Sequence, residues 1–275
     1  MNAEITEREF KLFQSLIYRE TGISLHDKKA TMVQARLSKR LRELGMNSFT
    51  KYYEFLDDGR NAEELLRLLS AISTNVTSFF REGAQWDFLE GYLGNLHVTN
   101  PGKKLRIWSA ASSTGQEPYS IAMFLNEHLQ NIREWNIKLL ATDIDTKVLA
   151  HAMRGIYSEK DIGAMPKVFL NRYFVKVKTD NGMEYQIIEP LRKMILYRMF
   201  NLVRGDFSMF KEKTFDIIFC RNVMIYFDGP TREELVKRFH SLLKPGGLLL
   251  LGHSESLTRQ NSEFKLVQSA IYKKI

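Results

Sequence analysis

The sequence holds one cysteine, Cys220, and six prolines in 275 residues. A lone cysteine excludes a disulfide framework and suits a reducing compartment. Long apolar runs are missing as well. The stretch GLLLLG (247 to 252) falls far short of the roughly 20 residues that cross a bilayer. The opening residues, MNAEITEREFK, are polar and acidic, so no secretory leader is expected. The six histidines are scattered and form no ligand-spaced pair with the cysteine, so no metal site is expected. No internal repeat or low-complexity tract is visible.

What remains is an ordinary soluble composition, 44% hydrophobic and 26% charged, in a chain long enough for one large domain and a smaller one. The formal net charge is +8, which favours an acidic partner. Up to about residue 80 the pattern is helical. Thr6 and Glu9 form a capping box ahead of Phe10, Phe13 and Ile17 at helical spacing. A second helix carries the stripe Val33, Leu37, Leu41, Leu44 and stops near Gly45, and SFTKYYEFLDDG and NAEELLRLLSAISTN supply two more.

From about residue 104 strands and helices alternate: KLRIWSA, EPYSIAMFLNEHLQ, NIKLLATDID, TKVLAHAMRG, FDIIFC and TREELVKRFHSLL, a helix closed by Pro-Gly-Gly, then LLLLGHSES. FKLVQSAIYKKI supplies a last pair of strands. The expected fold is α/β, a doubly wound Rossmann-like sheet preceded by an all-α domain. An Asp-Asn-Gly turn at 180 to 182 marks a small β-hairpin insertion over about 168–200. The expected division is a helical domain over 1–75, a linker over 76–90 that contributes to the ligand site, and the α/β domain over 91–275.

In such sheets ligands lie across the carboxyl ends of the strands, where strand order reverses. The first strand runs into RIWSAASSTGQEPYSIA (106 to 122), a strand-turn-helix layout with one glycine, Gly115, and a carboxylate, Glu117, directly after it. Pyrophosphate loops are richer in glycine and avoid such a charge. Small side chains from Ala110 to Gly115 let a ligand approach the backbone, Glu117 suits a ligand ammonium, and Asp143, closing the second strand, suits a ribose diol. For Asp143 a plain helix-capping role is the alternative. A nucleoside that bears an amino acid and no phosphate is S-adenosylmethionine.

Five blocks carry a family resemblance: STNVTSFFRE (73 to 82), WSAASSTGQEPYSIAM (108 to 123), ATDIDTKVLAHAMRGIY (141 to 157), FDIIFCRNVMIYFD (215 to 228) and LLKPGGLLLLGHSES (242 to 256). In order and over nearly the whole chain, they resemble the CheR-type chemotaxis receptor methyltransferases. The resemblance implies methyl transfer from S-adenosylmethionine to glutamate carboxylates of chemoreceptors. It implies that Asn75, Thr77 and Arg81 lie over the cofactor, Glu117 faces its amino-acid end and Asp143 its ribose. Asn201 and Leu202 would border the adenine, and Arg221 and Asn222 the methionine portion.

A glutamate is already ionised at neutral pH, with a reference pKa of about 4.3, so no general base is needed and no Ser-His-Asp or Cys-His set is expected. Arg221 and Tyr226 are assigned positioning roles at the reacting centre. Lys28, Lys29, Arg36, Lys39, Arg40 and Arg42 cluster in one helix, opposed locally by Asp27 and Glu43, and Arg36, Lys39 and Arg40 are expected to dock an acidic receptor helix. The implied partner is the cytoplasmic helical domain of membrane chemoreceptors. The enzyme is then a cytoplasmic monomer recruited to receptor arrays, without membrane insertion or nucleic-acid binding. The stretch KVKTDNGMEYQ has one glycine, which argues against a receptor tail peptide docking on the insertion. The alternatives are an RNA methyltransferase, suggested by the basic charge, and a binding protein that kept the fold and lost the chemistry.

Overall fold

A computed structural model describes residues 4–25, 29–72, 75–163, 165–257 and 263–275, apart from the side chain at position 97. Four helices open the chain: α1 (Glu7–Thr21), α2 (Ala30–Glu43), α3 (Phe49–Asp57) and α4 (Ala62–Ile72). The capping box on α1 forms as expected. The Glu9 amide donates to Thr6 Oγ1 at 3.3 Å and the Thr6 amide to Glu9 Oε2 at 3.0 Å. The other oxygen of Glu9 accepts the Thr50 amide at 3.1 Å, so one carboxylate caps α1 and ties it to α3. Phe13, Ile17, Val33, Leu37, Tyr52 and Leu68 fill the space between the four helices.

Arg40 departs from its expected role. It is buried rather than presented to a partner, with Nε 3.0 Å and Nη2 2.6 Å from the two oxygens of Glu64 on α4, while Nη1 reaches Glu43. The Tyr52 hydroxyl donates to the same Glu64 at 2.8 Å. The side chain follows the apolar stripe inward because a carboxylate waits there, 24 residues along the chain. Arg36 is half-buried and donates to the Ile72 carbonyl at 2.6 Å, whereas Lys39 and Arg42 are exposed. Asp27 and Lys28 lie outside the described residues.

Helix α5 (Gly83–Thr99) leads into the α/β domain and packs Trp86, Leu89, Leu93 and Leu96 on one face of the sheet. The strands are β1 (Lys104–Ala110), β2 (Asn136–Asp143), β3 (Ile156–Tyr157), β4 (Phe174–Thr179), β5 (Gly182–Ile187), β6 (Ile195–Met199), β7 (Phe215–Cys220), β8 (Leu243–Leu251), β9 (Phe264–Gln268) and β10 (Ile271–Lys274). Seven of them form one sheet in the order β6-β2-β1-β7-β8-β10-β9, parallel through β8, with β10 and β9 antiparallel at the edge. Chain order runs outward from β1 to one side through β2 and β6, then outward to the other through β7 and β8. The switch point lies between β1 and β7. Helices α6 (Gln116–His128) and α7 (Thr146–Arg154) follow β1 and β2, and α11 (Gly229–Leu242) follows β7.

The insertion starts and ends earlier in the sequence than expected and has one more strand. Its sheet has three strands, β3-β5-β4, with the Asp180–Asn181 turn between β4 and β5. β6 falls inside the expected 168–200 bounds but belongs to the main sheet, pairing Leu139 with Ile195 and Asp143 with Met199. The short helices α8 (Glu159–Ile162), α9 (Lys167–Tyr173) and α10 (Glu189–Met194) connect these strands. Pro-Gly-Gly does not close α11 either. The helix ends at Leu242, and residues 245–247 form an irregularity within β8, where the register against β7 jumps. A Cβ on Gly247 would stand 2.9 Å from the Lys244 carbonyl oxygen and 3.1 Å from that of Asp216, so the close backbone approach requires glycine.

The helical domain is joined to the α/β domain at the end of α1, where the last carbonyls of any helix lack internal partners. Asn201 Nδ2 donates to the Glu20 carbonyl at 2.7 Å and Arg204 Nε to that of Arg19 at 2.6 Å. Tyr18 donates to Asp228 at 2.6 Å, and the Ser24 amide to the Tyr226 carbonyl at 2.8 Å. Gly22 takes a left-handed φ of 70° in the narrow gap against Val203 and Thr231. Replacing Arg40 with alanine strips Glu64 of its buried counter-ion. Chemical denaturation is expected to show about 3 kcal/mol lost from the helical domain; an unchanged midpoint would return Arg40 to the surface.

Candidate active site

The turn after β1 is held in an uncommon backbone shape. Ala111, Ser113 and Gly115 all have positive φ, at 65°, 50° and 97°. The Ser112 amide bonds the Thr142 carbonyl at 2.8 Å, and the Ser113 amide bonds Asp143 Oδ2 at 2.8 Å. Behind the turn, Tyr157 of the insertion donates to the Thr114 carbonyl at 2.7 Å. A Cβ on Gly115 would sit 2.7 Å from Ala152 Cβ on α7 and 2.9 Å from the Tyr157 hydroxyl. The single glycine therefore serves helix packing and turn shape together.

Asp143, at the carboxyl end of β2, also accepts the Asp145 amide at 3.0 Å. Burial is the largest influence on it and pushes its carboxyl up to about 6 despite those amides, with Asp145 adding to the rise. Asp145 caps α7, and its other oxygen accepts Asn75 Nδ2 at 3.1 Å. The Asn75 carbonyl accepts the Ser113 hydroxyl at 3.1 Å. The linker is thus stitched to the turn on one side and to α7 on the other.

The most heavily charged part of the site is Arg221, just past β7, whose side chain is only 3% exposed. It meets Glu82 Oε2 through Nη2 at 3.0 Å and Nε at 3.3 Å, meets Glu117 Oε2 through Nη1 at 3.3 Å, and donates to the Arg81 carbonyl. Ser109 holds the other oxygen of Glu117 at 2.7 Å. Burial pushes the Glu117 carboxyl up more strongly than Arg221 and Ser109 pull it down. Glu82 goes the other way: burial raises it, but the His253 amide and Arg221 outweigh that and leave it below the usual carboxylate range. Two carboxylates share one guanidinium.

Asp143, Glu117 and Arg221 border one cleft of about 1140 Å³, its open mouth included, at the switch point. Its lining brings together Asn75, Thr77, Arg81, Glu117, Asp143, Asn201, Leu202, Arg221, Asn222 and Tyr226, all the cofactor and positioning residues expected from sequence. Two expected roles change within it. The Asn201 amide is occupied by the Glu20 carbonyl and by the Val203 and Arg204 amides, so only its backbone and Leu202 are left to border a ligand. Arg221 is committed to Glu82, Glu117 and the Arg81 carbonyl, which leaves it no free fork to orient a substrate carboxylate. The docking trio is not gathered here: Arg40 is buried among the helices, and Arg36, Lys39 and Arg40 are all absent from the lining.

Sequence reasoning missed the roof. Thr21, Ile23, Leu25, Lys29, Met32 and Ile72 of the helical domain line the cleft, with Lys29 Nζ 5.2 Å from the Tyr226 ring centroid. It also missed Glu82, next to Arg81 in a quoted block, and Glu255, which accepts the amides of Asn222, Gly252 and Ile225 and so shapes the β7 turn. Acidic residues inside two of the family blocks were the available signal.

Residues 75–273 match the CheR methyltransferase SAM-binding domain, and residues 8–73 the CheR methyltransferase all-alpha domain. The chain belongs to the CheR methyltransferase family. It is 39% identical over 279 residues to the chemotaxis protein methyltransferase of Borreliella burgdorferi, covering 100% of this chain and 96% of that relative. It is 40% identical to chemotaxis protein methyltransferase 2 of Pseudomonas aeruginosa, over 97% of this chain and 93% of the relative. The Escherichia coli chemotaxis protein methyltransferase is 37% identical, over 98% and 91%. The protein is an S-adenosylmethionine-dependent methyltransferase with an α/β domain behind an all-α one.

The cleft fits that cofactor. Ser112 Oγ is buried in the turn without a partner among the described residues, small side chains leave the backbone accessible, and Glu117 and Asp143 both border the space. No helix among the described residues is long and apolar enough to cross a membrane. Substituting Gly115 with alanine is expected to lower stability by about 2 kcal/mol, from the contacts with α7 and the left-handed backbone. Thermal unfolding reads this; an unaltered melting temperature would mean that α7 gives way.

Proposed function

We propose that this enzyme methylates the side-chain carboxylates of specific glutamates in the cytoplasmic helical domain of chemoreceptors. The observation that carries the reading is the gathering in one cleft of Glu117, Asp143 and the small-residue turn, with Arg81 and Arg221 beside them and Lys29 on the side of the helical domain. The bound cofactor supplies an electrophilic methyl on a sulfonium. In this reading Glu117 receives the ammonium of the cofactor and Asp143 its ribose hydroxyls, while Asn75, Thr77, Arg81, Leu202 and Asn222 enclose it. Tyr226 and Lys29 border the approach of the substrate carboxylate, which needs alignment and shelter from water rather than a base.

With Arg40 in the core, docking on the receptor rests on Lys39 and Arg36, with exposed Arg42 beside them. The partner is drawn by its acidic surface, so association depends on salt and on these side chains more than on burial. No oligomeric contact is required for the cleft to close, because one chain supplies its floor and its roof.

The decisive measurement uses labelled S-adenosylmethionine with receptor-bearing membranes. Base-labile methanol release marks a glutamyl ester, whereas label that stays in RNA would favour the RNA methyltransferase reading. In the same assay Lys39→Glu is expected to lower receptor methylation with the cofactor KM unchanged; loss of both together would make Lys39 structural. The pH profile follows from Asp143. Its ionised form accepts ribose hydroxyls, so binding of S-adenosylhomocysteine is expected to be full above about pH 6 and to weaken about tenfold per unit below it. Titration calorimetry at several pH values reads this, and a flat profile down to pH 5 would remove Asp143 from the ribose.

A further inference from the structure

Glu82 stands one residue past Arg81, at the start of α5, with its backbone in the left-handed region (φ 64°, ψ 64°). Such a conformation is uncommon for a residue other than glycine and persists where surrounding contacts impose it. Phe80, two residues earlier, also has a positive φ of 50°. The Glu82 carbonyl accepts the Gln85 amide at 3.0 Å, and the other contacts that hold it are at its carboxylate. Oε2 faces Arg221, and Oε1 accepts the His253 amide at 3.1 Å and Asn222 Nδ2 at 3.4 Å. The His253 ring stands 4.0 Å from Oε2. The side chain is only 8% exposed and does not border the cleft.

A guanidinium placed beside a lone glutamate neutralises it. Arg221 is not so placed: it gives two N–H groups to Glu82 and one to Glu117. We infer that Glu82 is a positioning residue for the cofactor's amino-acid end. It engages Arg221 from behind, fixes that guanidinium against the end of β7, and leaves Glu117 with negative charge to offer an ammonium. The inference rests on the proposed meeting of Glu117 with that ammonium. In a site shielded from water, removing one of two carboxylates from a shared guanidinium changes the local field far more than it would in solvent. The role belongs to the amino-acid half of the ligand only, because Glu82 makes no contact with the turn or with Asp143.

Two ligands separate this from a structural role. S-adenosylhomocysteine carries the ammonium; 5′-methylthioadenosine is the same thioether nucleoside without the amino acid. Calorimetry on the full chain is expected to show Glu82→Gln weakening the first by about tenfold or more while leaving the second unchanged. Glu82→Asp keeps the charge and is expected to spare both. Equal loss of both ligands in the Gln variant, loss of neither, or the same selective loss in the Asp variant would overturn the inference. Glu117→Gln tests the underlying reading separately. Selective loss there with none in Glu82→Gln would defeat only the role of Glu82, and absence of selective loss there would defeat both.

Discussion

One guanidinium shared between carboxylates from distant segments organises the site. Arg221 comes from the end of β7, Glu117 from the first turn of α6, and Glu82 from the linker at the head of α5. An arginine so deeply buried is tolerable only if it is paired and hydrogen-bonded, and this one has two carboxylates and a carbonyl. Because the three elements meet only in the folded chain, the ion pairs act as a lock on the switch point of the sheet. Their imbalance also means that Arg221 is divided between Glu82 and Glu117 rather than given to either one.

The turn after β1 is the second constraint. Its left-handed residues are held by the Thr142 carbonyl, by Asp143 and by Tyr157, so β2 and the insertion both shape the same few residues. Stability and ligand recognition are hard to separate at Asp143. It organises two backbone amides and is raised toward neutral pH by burial, and in the proposed reading it also meets the ribose. The roof follows the same economy, since the groups that satisfy the open end of α1 also fasten the helical domain over the cleft.

The parts of this architecture with strong local signals were legible in the sequence. The capping box at Thr6 and Glu9, the alternation that places β1, β2 and β7, and the small-residue turn with its carboxylate each depend on neighbours within a few residues. The parts that were not legible depend on distant partners. Arg40 looks solvated until Glu64 arrives from another helix. β6 looks like part of a hairpin because nothing nearby shows that it will pair with β2. The two residues of β3 are too few to have a pattern, and Pro-Gly-Gly, an ordinary helix stop, becomes a strand irregularity once β7 lies beside it. Glu82 had no visible role because its partners stand about 140 residues downstream.

The sequence by itself determined the alternation of the main strands and helices, the small-residue turn with a carboxylate behind it, and the family. The elements and the turn follow from side-chain periodicity, residue size and charge along short stretches, and the family from the resemblance of whole motif blocks. Tertiary structure alone decided which charges are free and which are spent: Arg40 in the core, Arg221 between Glu82 and Glu117, Asn201 on the end of α1, and Lys29 at the cleft. An ionisable side chain takes its role from what surrounds it after burial, and those surroundings are assembled from residues far apart in the chain.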